Sequence, residues 1–277
     1  MPEFKNLEIE SGAEKEKLPE STITAYVIRH GETVKDKFDP RRGLTERGEE
    51  QAKKAAEKIA EEISRETPPE TEIELRGYDS GVDRANQTLI GAVKILTSKG
   101  YKVYLPYSSQ EIAQDKIALE EMEKAGLIYG KGPGIKSRIR NMTLPAEAKK
   151  ELIEKAKQRG EELVVTILTT PPEKLKEMGV ETPEEIFKRM EPALEITNRL
   201  AQRRREKKYP RRIISICLTH GGTLEGYLTQ KLGINPRKLD AIPECEGFRI
   251  DFSGQPGKEP KIKFWGEEIE KRMAAPE

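Results

Sequence analysis

Two apolar runs, Thr22 to Ile28 (TITAYVI) and Ile213 to Leu218 (IISICL), lie far apart in the chain and end the same way. Both are rich in β-branched residues and read as buried strands. The first runs into Arg29-His30-Gly31 and the second into Thr219-His220-Gly221-Gly222. In open α/β sheets, sites form at the C-terminal ends of strands, and neighbouring strands bring such ends together. His30 and His220 are the 2 histidines of the chain. A single histidine is most often a hydrogen-bonded structural residue. Two that repeat the same strand-His-Gly context point to one shared site.

The segments between the two runs alternate in period. Thr45 is placed to cap a helix with Glu46 and Glu49 in its first turn, and Ala52, Ala55, Ala56, Ile59, Ala60 and Ile63 fall on one face of it. Pro68-Pro69 ends that segment. Glu72 to Leu75 reads as a short strand opening into Gly77-Tyr78-Asp79-Ser80, Asp83 to Thr97 as a helix stopped by Gly100, and Tyr101 to Leu105 as a further strand. Strand, helix, strand, helix, strand is the rhythm of an α/β sheet with parallel pairs.

From Glu111 to about Lys208 the pattern turns mostly helical, broken at Gly126 to Gly134 and at Pro171-Pro172. Thr182-Pro183-Glu184-Glu185 is a strong helix start, with a capping threonine, proline at the first position and acids at the positive end of the dipole. After the second histidine a helix is expected over Thr223 to Leu232, then closing antiparallel strands at Phe248 to Phe252 and Lys261 to Trp265. The fold class expected is α/β: a three-layer sandwich, its central sheet mostly parallel, with helices on both faces and a helical insertion. Residues 1–20 form a charged N-terminal extension, and residues 21–277 a single α/β domain carrying the insertion at about 111–208.

Composition narrows the class of partner. With 50 Lys and Arg against 49 Asp and Glu, the net charge of +1 gives no electrostatic reason to expect nucleic acid or an anionic membrane. Apolar residues are 35% of 277, enough for a core at this length. No run of about 18 apolar residues occurs, and Met1 to Glu20 lacks the apolar stretch of a secretory signal. Cys217 and Cys245 do not make a disulfide framework, so a cytoplasmic setting is expected. The Lys/Glu-rich, aromatic-poor make-up would suit a thermophile.

Four stretches, in order, carry a resemblance. Arg29-His30-Gly31-Glu32-Thr33 with Leu44-Thr45-Glu46-Arg47-Gly48 resembles the opening of the histidine phosphatase superfamily, in its phosphoglycerate mutase-like branch. Arg84-Ala85-Asn86-Gln87-Thr88, after Ser80, looks like that family's second arginine motif, and Cys217 to Thr223 like its second histidine motif. Glu181 to Arg189 is similar to the acidic helix start that precedes the latter. The resemblance implies that His30 is phosphorylated and that water then hydrolyses the phosphohistidine; the alternatives are a mutase, which returns the phosphoryl group to a second hydroxyl, and a phospho-ligand binding module without catalysis. By family position it also implies Glu111 as the proton donor, with Asp115 and Asp83 as competitors. Mutase-like members commonly have an asparagine after the opening motif. Here Asp36 stands there, a candidate substrate-binding position. Its charge should weaken binding of a phosphorylated substrate unless Lys35 or Lys37 compensates.

The residue types suit that chemistry. Phosphoryl transfer needs an in-line nucleophile and positive charge around the equatorial oxygens. Neutral His30 offers a ring nitrogen once a hydrogen bond to its other nitrogen fixes the tautomer. Arg29 and Arg84 offer planar forks for phosphate oxygens, Thr33 a hydroxyl, and His220, if protonated, a further donor. The helix opening at Gly222 would turn backbone N–H groups toward the anion, and Gly31 and Gly221 would let the backbone approach it. A small phosphorylated molecule is the expected partner, with a phosphoprotein and a homo-oligomer compatible. No cofactor is expected, and no His-x-x-His or carboxylate cluster suggests a metal.

Other signals are weaker. Gly130 to Ser137 superficially suggests a phosphate loop, but Ile135 occupies the required second glycine. A mobile turn is the bland reading, and a lid carrying Lys136, Arg138 and Arg140 the functional one. Cys217 has Thr223, not arginine, six residues on, and reads as a buried strand residue. The basic run Arg203 to Arg212 reads as the solvated end of a helix, without aromatic neighbours for RNA stacking.

Overall fold

The computed structural model describes residues 23–34, 42–69, 71–106, 128–130, 138–207 and 211–275. The strands are β1 (Ile23–Arg29), β2 (Glu72–Asp79), β3 (Val103–Pro106), β4 (Ile128–Gly130), β5 (Arg211–Thr219), β6 (Gly247–Phe252) and β7 (Lys261–Trp265). They form one sheet in the order β4-β3-β2-β5-β1-β6-β7. β4, β3, β2, β5 and β1 run parallel; β6 is antiparallel to β1 and to β7. Register decides where chemistry can occur. β1 pairs with β5 so that Arg29 faces Thr219, and β2 pairs with β5 so that Asp79 faces Leu218. The next residues, His30, His220 and Ser80, therefore leave one edge of the sheet side by side.

Alternation along the strands builds two cores. Ile23, Ala25 and Val27 of β1 face one side with Ile213 and Cys217 of β5; Tyr26 and Ile28 face the other with Ile214, Ile216 and Leu218. On the second side lie α1 (Glu46–Glu66) and α2 (Asp83–Ser98), through Ala56, Ile59, Ile63, Ala85, Leu89 and Leu96. On the first lie α3 (Ala146–Arg159), α4 (Leu163–Thr169), α5 (Pro172–Glu177), α6 (Pro183–Glu206), α7 (Gly221–Leu232), α8 (Pro236–Leu239) and α9 (Glu267–Ala274). The fold is α/β, a mostly parallel sheet covered by helices on both faces. Among the described residues, no helix is long and apolar enough to cross a membrane.

The caps follow their sequence signals. Thr45 Oγ1 accepts from Gly48 N, and Thr182 and Glu185 form a reciprocal capping box at the start of α6. Three elements differ from expectation. β2 continues to Asp79 through Gly77, where a Cβ would stand 2.7 Å from Leu105 and 2.9 Å from Leu89. That glycine admits β3 and α2 to the strand instead of opening a loop. The break at Gly126 to Gly134 contains β4, an edge strand on β3. Finally, α7 begins at Gly221, with His220 itself as N-cap.

A polar network fills the end of the sheet remote from the histidines. Glu62 accepts from Tyr26 (2.9 Å), Trp265 (2.9 Å) and Arg249 (3.2 Å), and Glu66 from Arg249 (2.6 Å) and Arg212 (3.0 Å). Arg212 is 3% exposed and belongs to β5. It is not part of the solvated basic run; on α6 Arg204 and Arg205 bond backbone carbonyls.

Candidate active site

His30 is carried one residue past β1, and Arg84 in the first turn of α2. The ring centroids of His30 and His220 are 5.1 Å apart at an interplanar angle of 65°. Arg84 bridges them: its Nε donates to His30 Nε2 at 2.9 Å and its Nη2 to His220 Nδ1 at 3.2 Å. Arginine can only donate and a carbonyl can only accept, so these contacts assign protons. His30 Nδ1 lies 2.8 Å from the Gly31 carbonyl and must carry its N–H there, which leaves the Nε2 lone pair toward Arg84. His220 Nδ1 is likewise an acceptor, and its Nε2–H donates to Ser80 Oγ at 2.7 Å. Both rings are buried and neutral.

Electrostatics favours that state. Burial, reinforced by Arg84, Arg29 and Arg42 against the Gly31 carbonyl, lowers the His30 pKa to about 3. Burial, the neighbouring His30 and the same arginines hold His220 well below the ordinary histidine range. The expectation of a protonated His220 is therefore corrected: its Nδ1 receives a guanidinium N–H, a bond the imidazolium cannot accept. Arg84 itself is brought down to about 10 by burial and by the charges of Arg42 and Arg29. Positive charge at this edge comes from arginines.

Arg29 departs from the expected fork. Its Nη1 donates to the Ile242 carbonyl and its Nη2 pairs with Glu244 at 2.9 Å. Its Nε is buried without a hydrogen-bond partner. The role expected of Gly31 is also corrected. A Cβ there would stand 2.6 Å from the Gly48 carbonyl, so the glycine lets the histidine loop meet the start of α1. At Gly221 a Cβ would lie 3.2 Å from a carboxylate oxygen of Glu225, a buried acid that sequence reasoning missed. Thr33 is half-buried and forms a bridge with Leu44, and Asp83 is half-buried at the start of α2. Glu111, Asp115, Asp36, Lys35, Lys37 and Lys136 lie outside the described residues.

Arg42 was also missed. Its charge acts on His30, His220 and Arg84, and its only sequence signal is its place just before Gly43-Leu44-Thr45. Above α7, Thr219 Oγ1 donates to the Ile139 carbonyl at 2.5 Å and Thr223 Oγ1 to the Arg140 carbonyl at 2.9 Å. Arg138 donates to the Arg189 carbonyl and Arg140 to Glu181, so both are tied to the α6 start.

Neither a family model nor a curated protein matches the sequence. Among solved structures, the phosphoglycerate mutase from Bacillus anthracis str. Sterne aligns with 91% of this chain and 97% of its own, at a TM-score of 0.50 and 13% identity. The chain has the phosphoglycerate mutase fold. A mycobacterial glucosyl-3-phosphoglycerate phosphatase aligns with 88% of this chain and 98% of its own, at a TM-score of 0.48 and 16% identity. Identities this low carry the fold and not the reaction. In this chain the phosphoglycerate mutase fold sets His30, Arg84, His220 and Ser80 at one strand edge, and their chemistry has to be argued from those side chains.

Proposed function

We propose that the protein hydrolyses phosphomonoesters through a phosphohistidine on His30, without a metal ion. The observation that carries this reading is the fixed tautomer of His30. Its Nδ1–H is held by the Gly31 carbonyl, and its Nε2 lone pair points to Arg84, where an anionic group would be met by a guanidinium. Nε2 attacks phosphorus and the P–O ester bond breaks. The leaving oxygen takes a proton from a carboxylic acid, for which Glu111 remains the first candidate. Water, giving a proton to the carboxylate just formed, then attacks the phosphorus of phospho-His30; the P–N bond breaks with its electron pair returning to His30 Nε2, and inorganic phosphate leaves. Arg84, released from the two histidines, supplies hydrogen bonds to the equatorial oxygens, with the charges of Arg42 and Arg29 beside it. Among the described residues, no three His, Cys, Asp or Glu side chains are grouped to hold a metal ion.

The same site supports a mutase reading, favoured by the name of the Bacillus anthracis structure. A mutase would return the phosphoryl group to a second hydroxyl, so phosphate release measured against isomer exchange separates the two. The deciding experiment is His30→Ala with an aryl phosphate. Turnover should disappear while the fold persists, and wild-type activity should survive EDTA. Near wild-type turnover in the variant, or loss on chelation restored by magnesium or zinc, would overturn the reading.

A further inference from the structure

Glu225, on α7 one turn below Gly221, is fully buried and takes no part in the chemistry above. Its Oε1 accepts from Ile242 N at 2.7 Å, and its Oε2 has no hydrogen-bond partner. The same is true of Arg29 Nε, and both atoms lie within 3.6 Å of one point, where a Cβ on Gly221 would stand. Ile242 joins the two residues, giving its N–H to Glu225 and its carbonyl to Arg29. The loop that carries Ile242 is set firmly. Asp240 and Cys245 flank it with φ of 51° and 58°, left-handed values that non-glycine residues adopt only when their surroundings impose them. Cys245 N donates to the Arg29 carbonyl and Arg29 N to the Glu246 carbonyl, at 3.1 and 2.9 Å. Arg29 is thus clamped from β6's side, and its Nε, the one guanidinium nitrogen without a partner, lies near one unpartnered carboxylate oxygen.

We propose that Glu225 is a positioning residue whose ionisation decides how much of the Arg29 charge is offered to a tetrahedral oxyanion held between His30 and His220. The inference rests on the phosphate-site reading above. With Glu225 neutral, Glu244 is the carboxylate paired with Arg29 among the described residues. With Glu225 ionised, a second carboxylate faces the same guanidinium, and the site loses about one positive charge. The charged groups around Glu225 are Arg29 at the end of β1, Asp240 after α8, and Glu244 through its ion pair with Arg29; His220 on its own helix is neutral. Burial raises the Glu225 pKa to about 7, against the pull of Arg29, so the change falls in an accessible range.

Linkage gives the sign: an anion that favours the protonated carboxyl binds more weakly as pH rises. Sulfate is a suitable probe because it stays a dianion from about pH 5.5 to 8.5, where inorganic phosphate itself titrates. Wild-type sulfate affinity, measured by calorimetry, should fall about tenfold over that range, the equivalent of a one-unit shift in the carboxyl pKa. Glu225→Gln should bind as the wild type does at pH 5.5 and stay nearly flat to pH 8.5. An equal slope in both proteins, or a variant weakened equally at both ends, would overturn the proposal. Should the variant fold poorly, carboxyl NMR of the wild type decides: sulfate should raise the Glu225 midpoint, and an unmoved midpoint sinks the idea. No sulfate binding at any pH would remove the phosphate-site reading as well, whereas tight, pH-flat binding removes this inference alone.

Discussion

Arg84 Nε donates to His30 Nε2 at 2.9 Å, so under the proposed mechanism the nitrogen that would attack phosphorus is covered by the group that would then bind the phosphate. The same guanidinium reaches His220 at 3.2 Å. One planar side chain therefore spaces both rings and then has to turn its donors to the incoming anion. Lysine has the charge without the fork. Arg84→Lys should lower kcat/KM by about a hundredfold or more, a loss typical of one oxyanion donor group. Steady-state kinetics on an aryl phosphate checks this. A loss below about threefold would mean that Arg84 only packs the site.

The depressed pKa of His30 predicts an acid limb far from the ordinary histidine value. The proposed nucleophile is the neutral form of His30, and with a pKa near 3 it stays neutral as pH falls from 7 to 5. After correction for substrate ionisation, kcat/KM should not fall with a midpoint near 6.5. The stability sign is opposite to that of a paired histidine. Unfolded chains bind this proton below about 6.5 and the native state only near 3, so His30 favours unfolding progressively through that window. Loss of activity at low pH should coincide with unfolding, followed by circular dichroism, and a reversible titration near 6.5 in the folded protein would contradict it.

Glu66 gives a second acid dependence. Although burial opposes it, hydrogen bonds and charge from Arg249 and Arg212 bring its pKa down to about 2 from 4.5. A depressed carboxylate stabilises above its unfolded value, and that contribution fades as pH falls from about 4.5 to 2. Glu66→Gln should cost about 1–3 kcal/mol at pH 7, because Arg249 and Arg212 lose a charged acceptor in a largely buried setting. The gap between wild type and variant, read from urea midpoints, should close toward pH 2. A constant gap would show that the cost is packing and not charge.

What the sequence made legible was periodic or adjacent. The apolar runs before His30 and His220 specified two neighbouring strands, and the small-residue face of α1 specified its packing. Gly77 misled because glycine usually marks a turn, and only the approach of Leu89 and Leu105 explains it inside a strand. The clamp on Arg29 comes from Ile242 and Glu244, more than two hundred residues away, joined by no pattern. Glu225 sits among buried positions of a helix, where a lone acid gives no signal until its neighbours are in place. The shift of α7's start to Gly221 was likewise hidden, since capping by His220 leaves no serine or threonine signature.

Glu111 lies outside the described residues, and chemistry is the way to test it. A proton donor matters in proportion to how badly the leaving oxygen needs a proton. An alkyl phosphate departs as a strongly basic alkoxide, for which general-acid help is typically worth about a hundredfold or more. A nitrophenolate departs readily without it. Glu111→Gln keeps the size and removes the acid, so it should lose heavily on an alkyl phosphate and little on p-nitrophenyl phosphate. Equal losses on both would make Glu111 a substrate-positioning or structural residue. Asp115→Asn and Asp83→Asn serve as parallel tests, and Asp83 carries a reason of its own: it is half-buried beside Arg84, on which its charge acts. The variant whose loss tracks the leaving group identifies the acid, because neither misfolding nor weaker binding would distinguish an alkoxide from a nitrophenolate.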